Sequence, residues 1–234
     1  MLRNRLQSSQ FIALLAAVAA CPGLCAPPPV HKPIPAAASV LDHTSAALST
    51  KHISEKSTPL GNLAADAIRE TTHADVAFIA AASFRDSSAS IGPGDFSSSS
   101  LIKTLEFRSE KLAVLKLTGT QIQQAVKHSF TLYPDANSSF LQYSGLTLTI
   151  NPKAEGEAAV LSIQVGNRPL SASRTYLVGM TQTLAGGALA YFRYWKDSDI
   201  TQNLNTTLEQ AITTYLQNHT QISGGEGRVI EKPS

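Results

Sequence analysis

The stretch Thr58–Ala80, TPLGNLAADAIRETTHADVAFIA, changes periodicity half-way along. Leu60, Leu63, Ala64, Ala67 and Ile68 recur at helical spacing. Thr58 stands where a side-chain oxygen can cap the first turn, and Pro59 where a missing N–H loses no helical bond. The run Val76 to Ala80 is continuously apolar and short, as in a buried strand. A helix feeding directly into a buried strand predicts a mixed α and β domain, an α+β class with a mixed sheet packed against helices.

The rest of the chain extends that pattern. After the strand come Ala81, Ala82 and Ser83, then Phe84-Arg85-Asp86 and a serine-rich loop to Ser100. SSLIKTLEF predicts a short helix, and KLAVLKLTG a largely buried strand ended by Gly119. Thr118 then caps GTQIQQAVKHSF, whose Ile122, Ala125, Val126 and Phe130 make one helical face. FLQYSGLTLTI, AVLSIQV and RTYLVGM are three strand-like runs, separated by Asn151-Pro152 and by Gly166-Asn167-Arg168-Pro169, and predict an antiparallel block. LAGGALAYFRYW reads as a helix with a glycine-rich start, TLEQAITTYLQNH as a final amphipathic helix and GRVIE as a closing strand. No internal repeat is visible.

With 234 residues, 43% hydrophobic and 15% charged, the chain can bury a core of one large or two small domains. The formal net charge is +2, and no stripe of lysine or arginine could neutralise several phosphates, which argues against a nucleic-acid partner. At the amino end, Arg3 and Arg5 precede an apolar run from Phe11 to Ala20. Residues 1–26 thus predict a secretory signal, too short to span a membrane. Two fates are open: cleavage between Ala19 and Ala26, or lipidation of Cys21, because Val18-Ala19-Ala20-Cys21 also looks like a bacterial lipoprotein box. Residues 27–39 are a proline- and alanine-rich spacer, and the domain is expected over 40–234. Cys21 and Cys25, the two cysteines, both fall in the signal, so the expected mature domain has no thiol and no disulfide. The expected location is secreted or periplasmic, free or held by a lipid.

A search for chemistry finds little. There is no His-Glu-x-x-His, and His31, His43 beside Asp42, His128 and His219 read as surface groups, the last two near helix ends. No Gly-x-Ser-x-Gly elbow, phosphate loop or dinucleotide fingerprint is present. Gly186-Gly187 reads as close backbone packing. The serines from Ser83 to Ser100 have no recognisable base beside them and read as a solvated loop. No metal or other cofactor is predicted.

Five segments in order carry a family likeness: Leu60-Gly61-Asn62-Leu63-Ala64-Ala65-Asp66-Ala67, Ala77 to Arg85, Leu117-Thr118-Gly119-Thr120-Gln121-Ile122, Phe140-Leu141-Gln142-Tyr143-Ser144-Gly145-Leu146, and Glu226-Gly227-Arg228-Val229. Together, over about residues 52–232, they resemble the carboxy-terminal domain of the secreted 5'-nucleotidase family. Enzymes of that family pair this substrate-gripping domain with an amino-terminal metallophosphoesterase domain that holds two metal ions. The motifs of the metal domain, Asp-x-His, Gly-Asn-His-Asp/Glu and Gly-His-x-His, do not occur in these residues, so the resemblance implies no two-metal hydrolysis by them alone.

The resemblance also places a ligand site. Arg85 matches the family's substrate arginine, while Ala80 stands at its asparagine and Ala81, Ala82 and Ser83 at its three glycines. Phe107, within Leu105-Glu106-Phe107-Arg108, matches the first base-stacking aromatic. The second falls in Thr183 to Tyr191, where Thr183 stands at the aromatic, Leu189 (or Ala188, with a one-residue shift) at the ribose-binding aspartate, and Tyr191 at the tyrosine. Lys56 lies where a further arginine is expected. The implied ligand-binding set is Arg85, Phe107 and Tyr191, with no catalytic residue. The implied function is a stand-alone domain, inactive by itself, that binds a nucleoside or nucleotide weakly or assists a separately encoded metallophosphoesterase. Two alternatives stand beside it. One is a structural or protein-interaction module in which Arg85 pairs with Asp86 or Asp95 and Phe107 is core. The other is a hydrolase acting on nucleotides through an unrecognised site.

Overall fold

The structure is a computed structural model, and it describes residues 41–45, 47–85, 90–219, 221–222 and 227–233. The expected signal segment with Cys21, the spacer with His31, and Asp86 and Glu226 lie outside these. All described residues fall in one unit, Ala37–Ser234.

Helix α1, Pro59–Thr72, forms where the sequence predicts it. Thr58 Oγ1 accepts from Gly61 N at 3.3 Å, and the helix stops at His73 in the left-handed conformation (φ 50°). Its apolar side, Leu60, Leu63, Ala64, Ala67 and Ile68, is fully shielded from solvent. Among the described residues four further helices follow: α2 (Ser98–Ile102), α3 (Gly119–Ser129), α4 (Gln182–Ala185) and α5 (Leu208–Asn218). Thr118 caps α3 in a reciprocal arrangement with Gln121, and Thr207 caps α5 in the same way with Gln210.

A five-stranded sheet organises the core, in the order Ile200–Thr207, Lys111–Thr118, Thr175–Thr181, Val76–Ala80, Leu141–Ser144. Only the pairing of Thr175–Thr181 with Val76–Ala80 is parallel. Val76–Ala80 is buried at every position, as expected of a strand covered on both faces. A second sheet, of four strands, runs Arg168–Pro169, Val160–Val165, Leu146–Ile150, Val229–Glu231. The strand Leu41–Thr44 lies between Gly94–Ser97 and Gln221–Ile222, and Leu48–Ser49 pairs with Ser90–Ile91.

Two expectations need correction. FLQYSGLTLTI is two strands in two sheets. Gly145 (φ 79°) makes the switch, and a Cβ there would lie 2.2 Å from the Asp75 carbonyl oxygen. The expected antiparallel block is therefore divided, because Leu141–Ser144 and Thr175–Thr181 both join the central sheet. LAGGALAYFRYW is not one helix either. After the four residues of α4 the backbone turns left-handed at Gly187 (φ 88°), Leu189 (φ 57°) and Ala190 (φ 68°), and only a single 3₁₀ turn, Tyr191–Arg193, follows. Three such residues within four positions cannot continue a right-handed helix.

The family motifs hold one another in place. Asp66 accepts from Arg228 Nη2 at 2.5 Å and from Ser144 Oγ at 2.6 Å, and Arg69 Nε donates to the same Ser144 oxygen at 2.7 Å. Arg228 Nη1 also donates to the Tyr143 carbonyl. Buried Gln142 accepts from Thr58 N at 2.8 Å and donates through Nε2 to the carbonyls of Ile53 and Lys56, at 2.9 and 2.8 Å. These bonds fasten the amino end of α1 and the Val229–Glu231 strand to one edge of the central sheet.

Candidate functional site

The end of the Val76–Ala80 strand is positioned by backbone bonds. One 3₁₀ turn, Ala81–Ser83, follows it; Ala81 N donates to the Phe140 carbonyl at 2.8 Å, and Ala82 N to that of Ser138 at 3.1 Å. Phe84 then bridges Leu105, Arg85 N donates to Thr104 O, and Glu106 N donates to Ser83 O, both at 2.8 Å. That ladder lays Ala80–Arg85 alongside Thr104–Phe107. Glu110 Oε1 accepts from Thr183 N at 2.8 Å, which places a carboxylate at the start of α4 and ties in the third segment.

The three segments enclose a small cavity of about 130 Å³. Ala80, Ala82, Ser83, Phe107, Thr183 and Leu189 are among its walls, and its surface is almost wholly apolar. The site implied by the sequence is thus assembled from the expected segments, but its named side chains behave differently from one another.

Arg85 does not line the cavity. Its Nε donates to the Leu105 carbonyl at 2.9 Å and pairs with Glu106 Oε2 at 3.2 Å. The expected pairing with Asp95 is not the one found, since Asp95 pairs with His43 at 2.9 Å; the other expected partner, Asp86, lies outside the described residues. Phe107 does line the cavity and is 54% exposed, so the alternative that made it a core residue is corrected. Tyr191 is fully buried. Its hydroxyl donates to Ser139 O at 2.7 Å, and its ring stacks on Trp195 at 4.8 Å, so it presents no face to a ligand. Burial holds the Tyr191 hydroxyl well above the usual phenol range. Lys56 lines a different cavity, beside the amino end of α1.

His128 was expected at the surface. It is half-buried instead, with its ring edge-on to Tyr191 at 4.9 Å and Nε2 donating to the Leu189 carbonyl at 3.0 Å. Trp195 Nε1 donates to Leu184 O at 3.0 Å. Sequence reading missed both as supports of the Thr183–Tyr191 loop. The signal available was the spacing of Tyr191, Tyr194 and Trp195, which puts three aromatics on one side of a turn. His219 stacks on Tyr215 at 4.2 Å and reaches Glu70 at 2.7 Å. Among the described residues no three histidines, cysteines or carboxylates converge as a metal site.

The profile of the family "5'-nucleotidase, C-terminal domain" matches residues 36–194. The chain belongs to that family. Solved structures share the fold of this 5'-nucleotidase C-terminal domain. A 5'-nucleotidase precursor from Thermus thermophilus is 22% identical, with a TM-score of 0.71 over 82% of this chain and 39% of its own. The NAD nucleotidase NadN of Haemophilus influenzae is 17% identical, with a TM-score of 0.66 over 82% and 38%. The sulfate thiohydrolase SoxB of Thermus thermophilus is 17% identical, with a TM-score of 0.61 over 81% and 34%. The chain spans about two fifths or less of these proteins, and no curated protein matches it in sequence. Of the residues that the resemblance implies for this 5'-nucleotidase C-terminal domain, Phe107 is exposed at the small cavity, Arg85 turns to Leu105 and Glu106, and Tyr191 is buried. No helix among the described residues is long and apolar enough to cross a membrane.

Proposed function

We propose that the chain is a secreted, non-catalytic domain of 5'-nucleotidase type. It lends its residual site to a metallophosphoesterase domain supplied from outside these 234 residues, and holds a nucleoside weakly. The observation that carries this reading is the direction of Arg85. Paired with Glu106 and bonded to Leu105 O, it leaves the Phe107 cavity without a cation to meet a phosphate. At about 130 Å³ the cavity is also below the range of about 300–1,000 Å³ usual for small-molecule sites. A base stacked on Phe107 would gain roughly 1–3 kcal/mol, enough only for weak binding.

Heat-shift measurements with adenosine and AMP test this. Adenosine should give a small stabilisation that Phe107→Ala removes, and AMP should give no more than adenosine. A larger response to AMP would mean that a phosphate grip exists. Recovery of a metallophosphoesterase with the tagged chain would support the assisting role. Release of phosphate from AMP by the purified chain with manganese or zinc would overturn the non-catalytic part. Mass spectrometry of the mature amino terminus distinguishes signal cleavage near Ala19–Ala26 from lipidation of Cys21.

The protein-interaction reading has one observation in its favour. Phe107, which lines an apolar hollow, is 54% exposed and Phe192 is 62% exposed, and exposed aromatics are typical of protein contacts. A chain that ignores nucleosides yet captures a phosphoesterase through Phe107 would favour it.

A further inference from the structure

A second cavity, of about 410 Å³, opens between the amino end of α1, the segment after α3 and the Val229–Glu231 strand. It shares no lining residue with the Phe107 pocket. Its size falls within the usual small-molecule range of about 300–1,000 Å³. One wall is aromatic: Phe130 lies 5.4 Å from Tyr133 and 5.1 Å from Phe140 between ring centroids. Ile150 and Val229 extend the apolar surface.

Four charged residues line it, and they divide into two kinds. Arg228 is neutralised by Asp66 at 2.5 Å, and Glu55 is bonded to His52 at 2.7 Å. Lys56 and Glu231 are exposed, and among the described residues neither side chain has a hydrogen-bond or ion-pair partner, including each other. One cavity therefore presents an aromatic wall, a cation and an anion that each lack a partner and lie beyond pairing distance of one another, and the hydrogen-bonded Glu55 carboxylate. A simple anion would be attracted by Lys56 and repelled by Glu231, and a simple cation the reverse. A neutral apolar molecule would gain from neither. Only a ligand carrying both charges gains from both.

We infer that this cavity binds a zwitterion with an apolar side chain: a free α-amino acid of leucine or phenylalanine size. The carboxylate faces Lys56, the ammonium faces Glu231, and the side chain lies on the Phe130–Tyr133–Phe140 wall. The inference is independent of the Phe107 pocket and of the nucleoside reading.

Calorimetric titration of the full chain with L-phenylalanine, phenylacetate and phenethylamine tests it. L-phenylalanine should bind saturably and more tightly than either analogue, by about two- to five-fold for each charge restored, the range expected of exposed ion pairs. Lys56→Gln should erase the advantage over phenethylamine, and Glu231→Gln the advantage over phenylacetate. Tyr133→Ala should weaken all three, and Phe107→Ala should change none. Lys56 and Glu231 are exposed, so both variants should fold, which circular dichroism checks. Absence of saturable binding up to about 10 mM, analogues as tight as L-phenylalanine, or indifference to both charge variants would each overturn the assignment.

Discussion

Gly61 and Gln142 meet where α1 begins. A Cβ on Gly61 would lie 2.5 Å from the Gln142 side chain, whose amide is fully buried and bonded to Thr58, Ile53 and Lys56. The glycine of the Leu60-Gly61-Asn62 motif is therefore kept small by a partner eighty-one positions away. Gly61→Ala must displace the amide and strand buried donors and an acceptor. The expected loss is about 2–4 kcal/mol, from overpacking and broken buried bonds together. Urea denaturation measures it, and a midpoint equal to that of the parent would refute the contact as described.

Among the described residues, Asp66 and Arg228 form the least exposed ion pair, with side chains 18% and 14% exposed. Removing one partner leaves the other charge stranded, so Asp66→Asn should cost about 3 kcal/mol. The loss should centre on the carboxy-terminal strand, read as faster proteolysis beyond Ile222 before the core opens. Uniform destabilisation without that early cleavage would contradict the role of the pair as a clasp.

The Phe84–Leu105 bridge explains why part of the site was legible in sequence and part was not. Motif order located all three segments that enclose the Phe107 pocket, because backbone ladders preserve segment positions when side chains change. It could not reveal that Arg85 turns back onto Leu105 and Glu106, since nothing in the residues from Phe84 to Arg108 encodes that direction. The fold shows a similar division. α1, α3 and α5 followed from their caps and apolar spacing. Ile200–Thr207 was missed because ITQNLNTT has no alternation: it is an edge strand with two register shifts and no fully buried residue. The helix expected over LAGGALAYFRYW failed because left-handed residues intervene, a tertiary demand that propensity does not report.

Ala190 adopts φ 68°, a conformation that places its Cβ against the following carbonyl. Ala190→Gly should relieve this strain, and the greater freedom of glycine in the unfolded chain offsets part of the gain. The net expectation is a stabilisation of about 0.5–1 kcal/mol, visible as a rise in Tm of roughly 1–4 °C. A fall in Tm would show that the methyl group packs usefully.

Tyr143 Oη is buried with no hydrogen bond of normal geometry among the described residues; burial raises its pKa, and the nearby Ser57 hydroxyl and Arg228 charge offset only part of that rise. Tyr143→Phe removes the orphaned hydroxyl and keeps the ring. Stability should be unchanged or higher by up to about 1 kcal/mol, whereas most core substitutions lower it.

Glu70 sets an acid-side dependence. Burial pushes its carboxyl up, but hydrogen bonds from His219 and Asn218 and the charges of His219 and Arg69 outweigh this, and its pKa lies below the ordinary 4.5. A lowered folded pKa contributes stability that is complete above the unfolded value and is lost as pH falls through the folded one. Glu70→Gln should therefore lose less stability than the parent between about pH 5 and about pH 3, measured by urea midpoints. Parallel curves would show that the contact between α1 and α5 is not charge-dependent.

The passage through Gly145 gives the two larger sheets a common mainspring. Leu141–Ser144 and Leu146–Ile150 are consecutive, so side-chain alternation in one sheet is geared to alternation in the other by a single residue. A one-residue deletion within Leu146–Ile150 would turn its alternating buried side chains outward, and one within Leu141–Ser144, buried at every position, would break its register with Val76–Ala80; either would pull the neighbouring sheet out of phase. Natural variation in length should consequently gather in the outer loops, and this short segment should keep its count even where its residues change.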